Sequence, residues 1–287
     1  MTDVFVALRQ RMPGLSKSER HIAEIVMDDP QIVVDSTITQ LAERCDTSQA
    51  SVARFCRAAG FAGYKEFRIA IAAANSREEA ARELFRVADA EIDPDDSAAD
   101  VVAKVAYQEA RAIEETARAL DLGALDAVVA ALRTAPRIDI YGAGSSGLTA
   151  ADLQLKLHRI GIVAFSWADA HLALTSFALT GPGSVAIGIS DSGLTVETNQ
   201  MLDLARSRGA TTVAITNYPD SPLGAAADHV LTTSARESRY RTGAMASRLA
   251  QMAVVDFVVV RLLQGDFDRA SELLRRTYDA VQEHRLG

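Results

Sequence analysis

Two motifs rich in glycine and serine place the strongest constraint on how this chain folds. Residues 142–147 (GAGSSG) follow the short apolar run 138–141, and residues 190–195 (SDSGLT) follow the run 185–189. Each run has the length and composition of a buried strand, and each motif opens a segment of helical periodicity. Two such junctions expose backbone N–H groups, positive helix ends and hydroxyl donors. These groups suit a bound phosphate.

Strands and helices continue to alternate through the second half of the chain. The apolar runs with strand character are residues 138–141, 162–165, 185–189, 212–216 and 229–232. Helical patterns separate the first four, and two final helices are expected at about 244–263 and 267–283. This order predicts right-handed crossovers and a doubly wound parallel sheet of five strands with helices on both faces. Ligands bind such sheets at the carboxyl ends of the strands, where both motifs lie.

The first motif also has the spacing of a dinucleotide-binding fingerprint, carried by Gly142, Gly144 and Gly147. That fingerprint requires an acidic residue at the end of the second strand, to bind the ribose hydroxyls. Asp169 comes too late in the chain for this role. The fingerprint also leaves residues 190–195 unexplained, so a phosphate site is the better interpretation.

Together the two motifs resemble those of the sugar isomerase (SIS) domain, a flavodoxin-like α/β fold, over about residues 120–260. In that family the second motif and a serine at the start of the first helix hold the phosphate of a phosphosugar. By position, the resemblance assigns the phosphate-binding role to Ser146, Ser190, Ser192 and Thr195, with Ser145 and the Gly144 backbone close by. Leu194 stands where relatives often carry a polar residue, which leaves the choice of sugar open.

Isomerisation of a sugar phosphate requires a general base and a group that opens the ring. The candidates in the chain are Glu197, His158, His171, His229 and Glu237. No base–acid pair stands out among them, and each has an ordinary interpretation as a surface, capping or packing residue. Glu237 is the best candidate for a contact with a sugar hydroxyl, although a solvated loop position is the simpler interpretation. Arg239 and Arg241 beside it would help to bind the anion.

The N-terminal third has the pattern of a small all-α domain. Ser16 and Glu19 form a capping-box pair ahead of a helix that ends by residue 30. Two shorter helices are expected at about 37–44 and 48–59, and the few residues between them predict a helix-turn-helix. Gly60 is placed to end the last helix in the left-handed conformation. The expected core residues are Ile38, Leu41, Val52 and Phe55.

The second helix of this pair carries the side chains expected to contact DNA. Short polar residues on its first turn would reach base edges or phosphates, and basic residues follow. The candidates are Ser48, Gln49, Ser51, Arg54, Arg57 and Lys65, with Arg68 beyond them. The net charge of −8 argues against general affinity for polyanions, but residues 47–68 form a basic island with one acid, Glu66. A plain helical hairpin with a solvated face has the same spacing and stays open as an alternative.

The N-terminal region resembles the DNA-binding domain of RpiR-type transcriptional regulators. The resemblance rests on residues 15–20 (LSKSER), 41–42 (LA) and 51–67 (SVARFCRAAGFAGYKEF). It implies a winged or extended helix-turn-helix. The expected organisation is therefore a helix-turn-helix domain at 1–75, a helical linker at 76–119 and a SIS domain at 120–287.

The linker is expected to hold two helices. Ser76 and Glu79 repeat the capping-box pattern and predict a polar helix to about residue 90, and residues 93–97 (DPDDS) break it. The next helix, at about 98–120, should pack against the C-terminal domain or a partner chain. Its expected apolar face consists of Val101, Val105, Ile113 and Leu120.

A DNA-binding domain fused to a phosphosugar pocket is typical of a ligand-gated regulator of sugar metabolism genes. A two-fold dimer would place two recognition helices about one DNA turn apart on a palindromic operator, and a tetramer is equally open. The alternative is a sugar-phosphate isomerase whose N-terminal helices serve assembly alone. A protein that binds sugar phosphates with neither activity is a third hypothesis.

The remaining expectations concern location and cofactors. The longest apolar run, 252–260, is interrupted by Asp256 and is too short to span a membrane, and no secretion signal is expected at the N-terminus. Cys45 and Cys56 lack metal-ligand spacing, which indicates reduced thiols rather than a zinc site or a disulfide. We therefore expect a cytoplasmic protein that uses no metal and no cofactor.

Overall fold

The computed structural model describes residues 3–237 and 243–282. These residues divide into two compact units, one running to Ala119 and the other beginning at Leu120. Within the described ranges, no helix is both long enough and apolar enough to cross a membrane.

The N-terminal unit is helical. Its helices are α1 (Val4–Arg11), α2 (Lys17–Asp28), α3 (Gln31–Val34), α4 (Ile38–Arg44), α5 (Gln49–Ala58), α6 (Tyr64–Phe85) and α7 (Ala98–Ala119). Reciprocal hydrogen bonds of a capping box begin α2 at Ser16 and Glu19, and α4 begins in the same way at Thr37. These bonds satisfy backbone N–H groups that otherwise have no partner in a first turn.

The core of this unit joins α5 to its neighbours through aromatic rings. Phe55 on α5 and Phe67 on α6 are fully buried, and their ring centroids lie 5.4 Å apart in an edge-on arrangement. Leu41 and Val52 are also fully buried, as predicted, and Ile38 packs against the same cluster at its edge. Buried aromatic pairs of this geometry stabilise a core beyond their area alone.

The helix start predicted in the linker is wrong. Ser76 does not begin a helix, because α6 runs through it without interruption from Tyr64 to Phe85. Tertiary packing explains the difference. The helix buries Phe67, Ile71 and Ala74 on one face, and it continues in helical conformation beyond these residues.

The apolar face predicted for the helix at 98–120 is buried in part: Leu120, just after α7, is buried, and Val101 and Val105 are half-buried. Ile113 is exposed, whereas the buried residues of the helix are Tyr107, Ala112, Glu115 and Thr116. Much of this packing is ionic and lies within the N-terminal unit: Arg111 pairs with Glu78 of α6 at 3.1 Å, and Glu115 pairs with Arg9 of α1. The apolar periodicity did not predict these ionic contacts, because charged side chains can be buried when they have partners.

The C-terminal unit is an α/β domain around a five-stranded parallel sheet. The strands are β1 (Ile138–Gly142), β2 (Ala164–Ser166), β3 (Val185–Ile189), β4 (Thr211–Thr216) and β5 (His229–Thr232). They lie in the order β2-β1-β3-β4-β5, and every neighbouring pair is parallel. This confirms the predicted fold, including the flavodoxin-like strand order.

Helices cover both faces of the sheet. They are α8 (Leu122–Thr134), α9 (Ser145–Arg159), α10 (Ala170–Phe177), α11 (Val196–Ser207), α12 (Pro222–Ala225), α13 (Ala246–Leu263) and α14 (Phe267–Gln282). The apolar side chains of α8, α9 and α13 form one core cluster with the sheet, and those of α10, α11 and α12 form another. The two clusters pack around the ends of β1 and β3, which the two motifs follow.

A buried charge anchors the start of β1. Asp139 is fully buried and accepts two hydrogen bonds from Arg137, at 2.6 and 3.1 Å, and one from the Ser176 hydroxyl at 2.5 Å. The guanidinium of Arg137 also lies 5.1 Å from the ring centroid of Phe165 on β2. This cluster ties β1 to β2 and α10. A buried carboxylate depends on such partners because its desolvation is costly.

We predict that Asp139→Ala destabilises the protein by about 3–5 kcal/mol, because Arg137 and Ser176 lose their buried partner. Asp126→Ala is the matched control, since it removes an exposed carboxylate that pairs with Arg261 at 2.8 Å. The control should leave the free energy of unfolding close to that of the wild type. Urea unfolding of the two variants tests this, and equal losses would contradict it.

Candidate functional site

The two motifs form one cleft at the carboxyl ends of β1 and β3. Gly142 at the end of β1 is in register with Ile189 at the end of β3, so the loops that follow lie side by side. The cleft has a volume of about 320 Å³. Its lining residues are Ala143, Ser145, Ser146, Ser190, Asp191, Ser192, Thr195, Gly243, Ala244 and Ser247. Of the residues predicted to hold phosphate, all five hydroxyl residues line it.

Close packing accounts for the glycines of the first motif. A Cβ atom on Gly142 would lie 2.6 Å from the Ser146 carbonyl oxygen, and one on Gly147 would lie 2.8 Å from the Gly142 carbonyl oxygen. Gly144 precedes α9 with φ +57°, a conformation that favours glycine. The glycines therefore allow the N-terminus of α9 to pack closely against β1. This packing explains their spacing without a bound dinucleotide.

Hydrogen bonds within the second motif orient its hydroxyl groups. The Ser192 oxygen accepts the backbone N–H of Leu194 at 3.2 Å, and the Ser190 oxygen accepts that of Gly193 at 3.2 Å. Ser190 and Thr195 share a further hydrogen bond of 3.0 Å. A hydroxyl that already accepts an N–H keeps its proton for another acceptor. Ser192 therefore has a proton to donate, and the Ser190–Thr195 pair has one more.

Ser146, on the first turn of α9, has the same arrangement. Its oxygen accepts a hydrogen bond of 3.2 Å from the side-chain amide of Gln251 on α13. The amide oxygen of Gln251 in turn accepts from the Thr149 hydroxyl at 3.3 Å. Neither Gln251 nor Thr149 was among the predicted site residues. The signal for Gln251 was a polar residue among the mostly apolar core-facing positions of its helix.

Glu237 lies beside the cleft but is not among the residues that line it. Its carboxylate accepts hydrogen bonds from the backbone N–H groups of Met245 at 3.1 Å and Ser247 at 3.0 Å, and from the Ser247 hydroxyl. It thereby caps the N-terminus of α13, where a negative charge is stabilising. Its predicted contact with a sugar hydroxyl stays a prediction. Arg239 and Arg241 lie outside the described residues.

Among the described residues that line the cleft, Asp191 alone carries a charge. None of the other acid–base candidates lines it: Glu197, His158, His171 and His229 all lie elsewhere. His158 bonds the Ala164 carbonyl oxygen at 2.6 Å, and Asp169 caps α10 through the backbone N–H of Leu172. Across residues 3–237 and 243–282, no group of three His, Cys, Asp or Glu side chains is arranged to hold a metal ion.

In the N-terminal unit, α4 and α5 form the predicted helix-turn-helix. The turn passes through Asp46, whose φ of +47° reverses the chain between the two helices. Ser48 caps α5 by accepting the backbone N–H of Ser51 at 3.2 Å. Arg54 reaches back one turn and donates to the Ser51 hydroxyl at 3.0 Å. The Ser16 hydrogen bonds, with a smaller contribution from Arg54, lower the pKa of Glu19 on the neighbouring α2.

The residues predicted to bind DNA lie on one accessible region of this unit. Five of the six are exposed and one, Ser51, is half-buried; the exposed ones are Ser48, Gln49, Arg54, Arg57 and Lys65. Cys45 and Cys56 are free and fully buried behind them. Burial raises the pKa of Cys56 to about 12 and also raises that of Cys45, which keeps both thiols protonated and unreactive.

Comparison with known families matches both units. Residues 2–78 match the helix-turn-helix domain of the rpiR family, and residues 131–261 match the SIS domain. A helix-turn-helix transcriptional regulator of Caldanaerobacter subterraneus is 36% identical over 287 residues, which cover all of both chains. One from Haemophilus influenzae is 33% identical over 95% of this chain and 94% of its own.

A solved structure is similar over nearly the whole chain. It is the NanR protein of Vibrio vulnificus complexed with ManNAc-6P, which is 28% identical with a TM-score of 0.62. The similarity covers 99% of this chain and all of that one.

We predict that Gly193→Ala destabilises the protein by about 2 kcal/mol or more. Gly193 has φ +65°, and a Cβ atom there would lie 1.9 Å from the Ser221 hydroxyl oxygen, so both strain and a clash oppose the change. Gly14→Ala is the control, because nothing lies within 4 Å of its Cβ position. Thermal and urea unfolding measure the difference, and a stable Gly193→Ala variant would refute the geometry of this loop.

Proposed function

The chain belongs to the RpiR family of transcriptional regulators, with a helix-turn-helix domain followed by a SIS domain, and on this premise we propose that a phosphosugar bound in the SIS cleft modulates its binding to operators of sugar metabolism genes. The observation that carries the proposal is the set of oriented hydroxyl groups in the cleft. We assign the phosphate to Ser146, Ser190, Ser192 and Thr195, with Ser145 and the Gly144 backbone beside them.

The hydrogen-bond geometry supports a phosphate at this position. Ser146 and Ser192 each keep one proton, and the Ser190–Thr195 pair keeps another, so three protons are available for the three terminal oxygens of a phosphate monoester. The N-termini of α9 and α11 add partial positive charge. These donors are neutral and Asp191 opposes an anion. We therefore expect micromolar affinity, roughly −8 kcal/mol, which fits a metabolite sensor.

We assign the sugar to the side of the cleft formed by Ser247. Its hydroxyl donates to Glu237, which leaves the oxygen to accept from a sugar hydroxyl or amide. In this arrangement Glu237 acts on the sugar indirectly, by orienting the Ser247 hydroxyl, or contacts a sugar hydroxyl at the edge of the cleft. Since Vibrio vulnificus NanR was solved with ManNAc-6P, N-acetylated amino-sugar phosphates belong in any ligand panel.

We assign DNA binding to α5, with Ser48, Gln49, Ser51, Arg54 and Arg57 facing the major groove and Lys65 on the phosphates. The exposure of five of these six residues, on α5 with its N-cap and on the first turn of α6, supports this role. The domains would then be a DNA-binding domain at 1–75, a helical linker at 76–119 and a sensor at 120–287. A homodimer or homotetramer in the cytoplasm would read a palindromic operator.

We propose a sensor rather than an enzyme. Proton abstraction from a sugar requires a base within reach of the substrate. Of the candidate bases, Glu237 is engaged in capping α13 and the other four do not line the described cleft. Among the described residues, no pair of the candidate acids and bases lines the cleft.

Fluorescence anisotropy on DNA upstream of the protein's own gene tests the proposal, at fixed salt and with a panel of hexose, pentose and amino-sugar phosphates. Sequence-dependent binding that one sugar phosphate changes would establish the regulator and identify its effector. No DNA binding under any condition, with turnover of a panel member, would establish the isomerase instead.

Arg54→Ala should lower operator affinity by about 10- to 100-fold while leaving phosphosugar binding unchanged, because it removes a contact to base edges. Arg276→Ala removes the same charge from an exposed position on α14 and serves as the control. Anisotropy with specific and scrambled DNA measures both. An operator affinity equal to that of the wild type in Arg54→Ala would refute the placement of the recognition helix.

Ser192→Ala should weaken the effector by about 10- to 100-fold, because a hydrogen bond to a charged phosphate is lost. Ser207→Ala is the matched control, since that hydroxyl bonds only the Leu204 carbonyl at 2.7 Å near the far end of α11. Ligand-induced shifts in melting temperature report the result. A wild-type shift in Ser192→Ala would exclude this phosphate assignment.

A further inference from the structure

Gln251 is a buried amide that bonds two residues of α9. Its side chain belongs to a residue that is 1% exposed, on a helix whose other buried positions are mostly Ala, Val and Leu. Thr149, which is fully buried, donates to the amide oxygen, and the amide nitrogen donates to Ser146. A buried polar side chain is costly unless its hydrogen bonds are satisfied, and here both ends are.

The direction of these hydrogen bonds follows from the chemistry of the groups. The Thr149 hydroxyl donates its single proton to the amide oxygen of Gln251. This holds the amide so that its NH₂ group faces Ser146. An NH₂ group of an amide donates and does not accept, so the Ser146 oxygen must accept. The one proton of the Ser146 hydroxyl is then free for a group in the cleft.

We propose that Gln251 is a positioning residue that sets the hydrogen-bond direction of Ser146 and reserves its hydroxyl proton for the anionic group of the ligand. The inference rests on the proposed phosphosugar site and adds a residue that the ligand need not touch. Gln251 is then the counterpart of the Leu194 backbone N–H, which donates a hydrogen bond to the Ser192 oxygen in the same way. The two hydroxyl groups oriented in this way, on Ser146 and Ser192, face the same anion from the two motifs.

Exchange of the amide for a carboxylate reverses the direction of this contact. In Gln251→Glu the ionised carboxylate accepts from both Thr149 and Ser146, which turns the Ser146 proton away from the ligand. Burial favours the neutral acid, whose O–H donates to Ser146 again. Ligand affinity should therefore recover as the pH falls. Gln251→Met has similar length and provides no hydrogen bond at any pH.

The experiment is a ³¹P NMR titration of the full-length wild type and variants with inorganic phosphate between pH 8 and pH 5.5. The ratio of variant to wild-type Kd is taken at each pH, which cancels the titration of phosphate itself. At pH 8 both Gln251→Glu and Gln251→Met should raise Kd about 10-fold. Towards pH 5.5 the ratio for Gln251→Glu should fall towards one, while that for Gln251→Met stays high.

Gln264→Glu is the control, because it makes the same chemical change at an exposed position after the end of α13. Its Kd should match the wild type throughout. Circular dichroism and urea unfolding establish that each variant is folded. If Gln251→Glu does not fold at pH 8, Thr149→Val decides the question: it releases the amide oxygen and should raise Kd about threefold.

The outcomes separate this inference from the proposed function. Absence of saturable phosphate binding in the wild type would refute the phosphosugar site and this role with it. Wild-type binding with equal losses in both Gln251 variants and no recovery at low pH would overturn the positioning role alone, since a purely structural defect has that signature. An unchanged Kd in Gln251→Met or in folded Thr149→Val would overturn it too.

Discussion

The parallel pairing of β1 with β3 is the constraint on which the C-terminal unit depends. Five residues of each strand are in register, and the pairing ends with Gly142 opposite Ile189. The two loops that follow therefore start at the same level of the sheet, although they are some forty residues apart in the chain. Every feature of the cleft follows from that register: the shared hydroxyl groups, the two helix N-termini and the wall provided by α13.

Local sequence patterns predicted the parts of the fold that local interactions determine. The five strands, their parallel order, the capping box at Ser16 and the helix that starts near Thr37 could be predicted because each depends on short-range periodicity or on a few neighbouring residues. The same holds for the two motifs, whose position after strands decides which edge of the sheet they occupy.

The predictions failed or were incomplete where contacts between residues distant in the sequence determine the structure. The pattern at Ser76 is a valid capping box by sequence, yet α6 continues because its apolar face is already buried. The ionic face of α7 was missed because its partners Glu78 and Arg9 come from other helices. The bond between Gln251 and Ser146 joins residues 105 positions apart, and no local pattern indicates such a pair.

The neutral character of the phosphate-binding groups has a consequence for the regulator proposed here. Hydroxyl groups and helix ends hold an anion without releasing counterions, so ligand affinity should vary little with ionic strength. In the proposed function, contacts of Arg54, Arg57 and Lys65 with DNA would displace cations from the duplex, so DNA binding should weaken steeply as salt rises. The two domains would thus answer to different variables inside the cell. The sensor would follow the concentration of a metabolite, whereas the DNA-binding domain would respond to the concentration of salt.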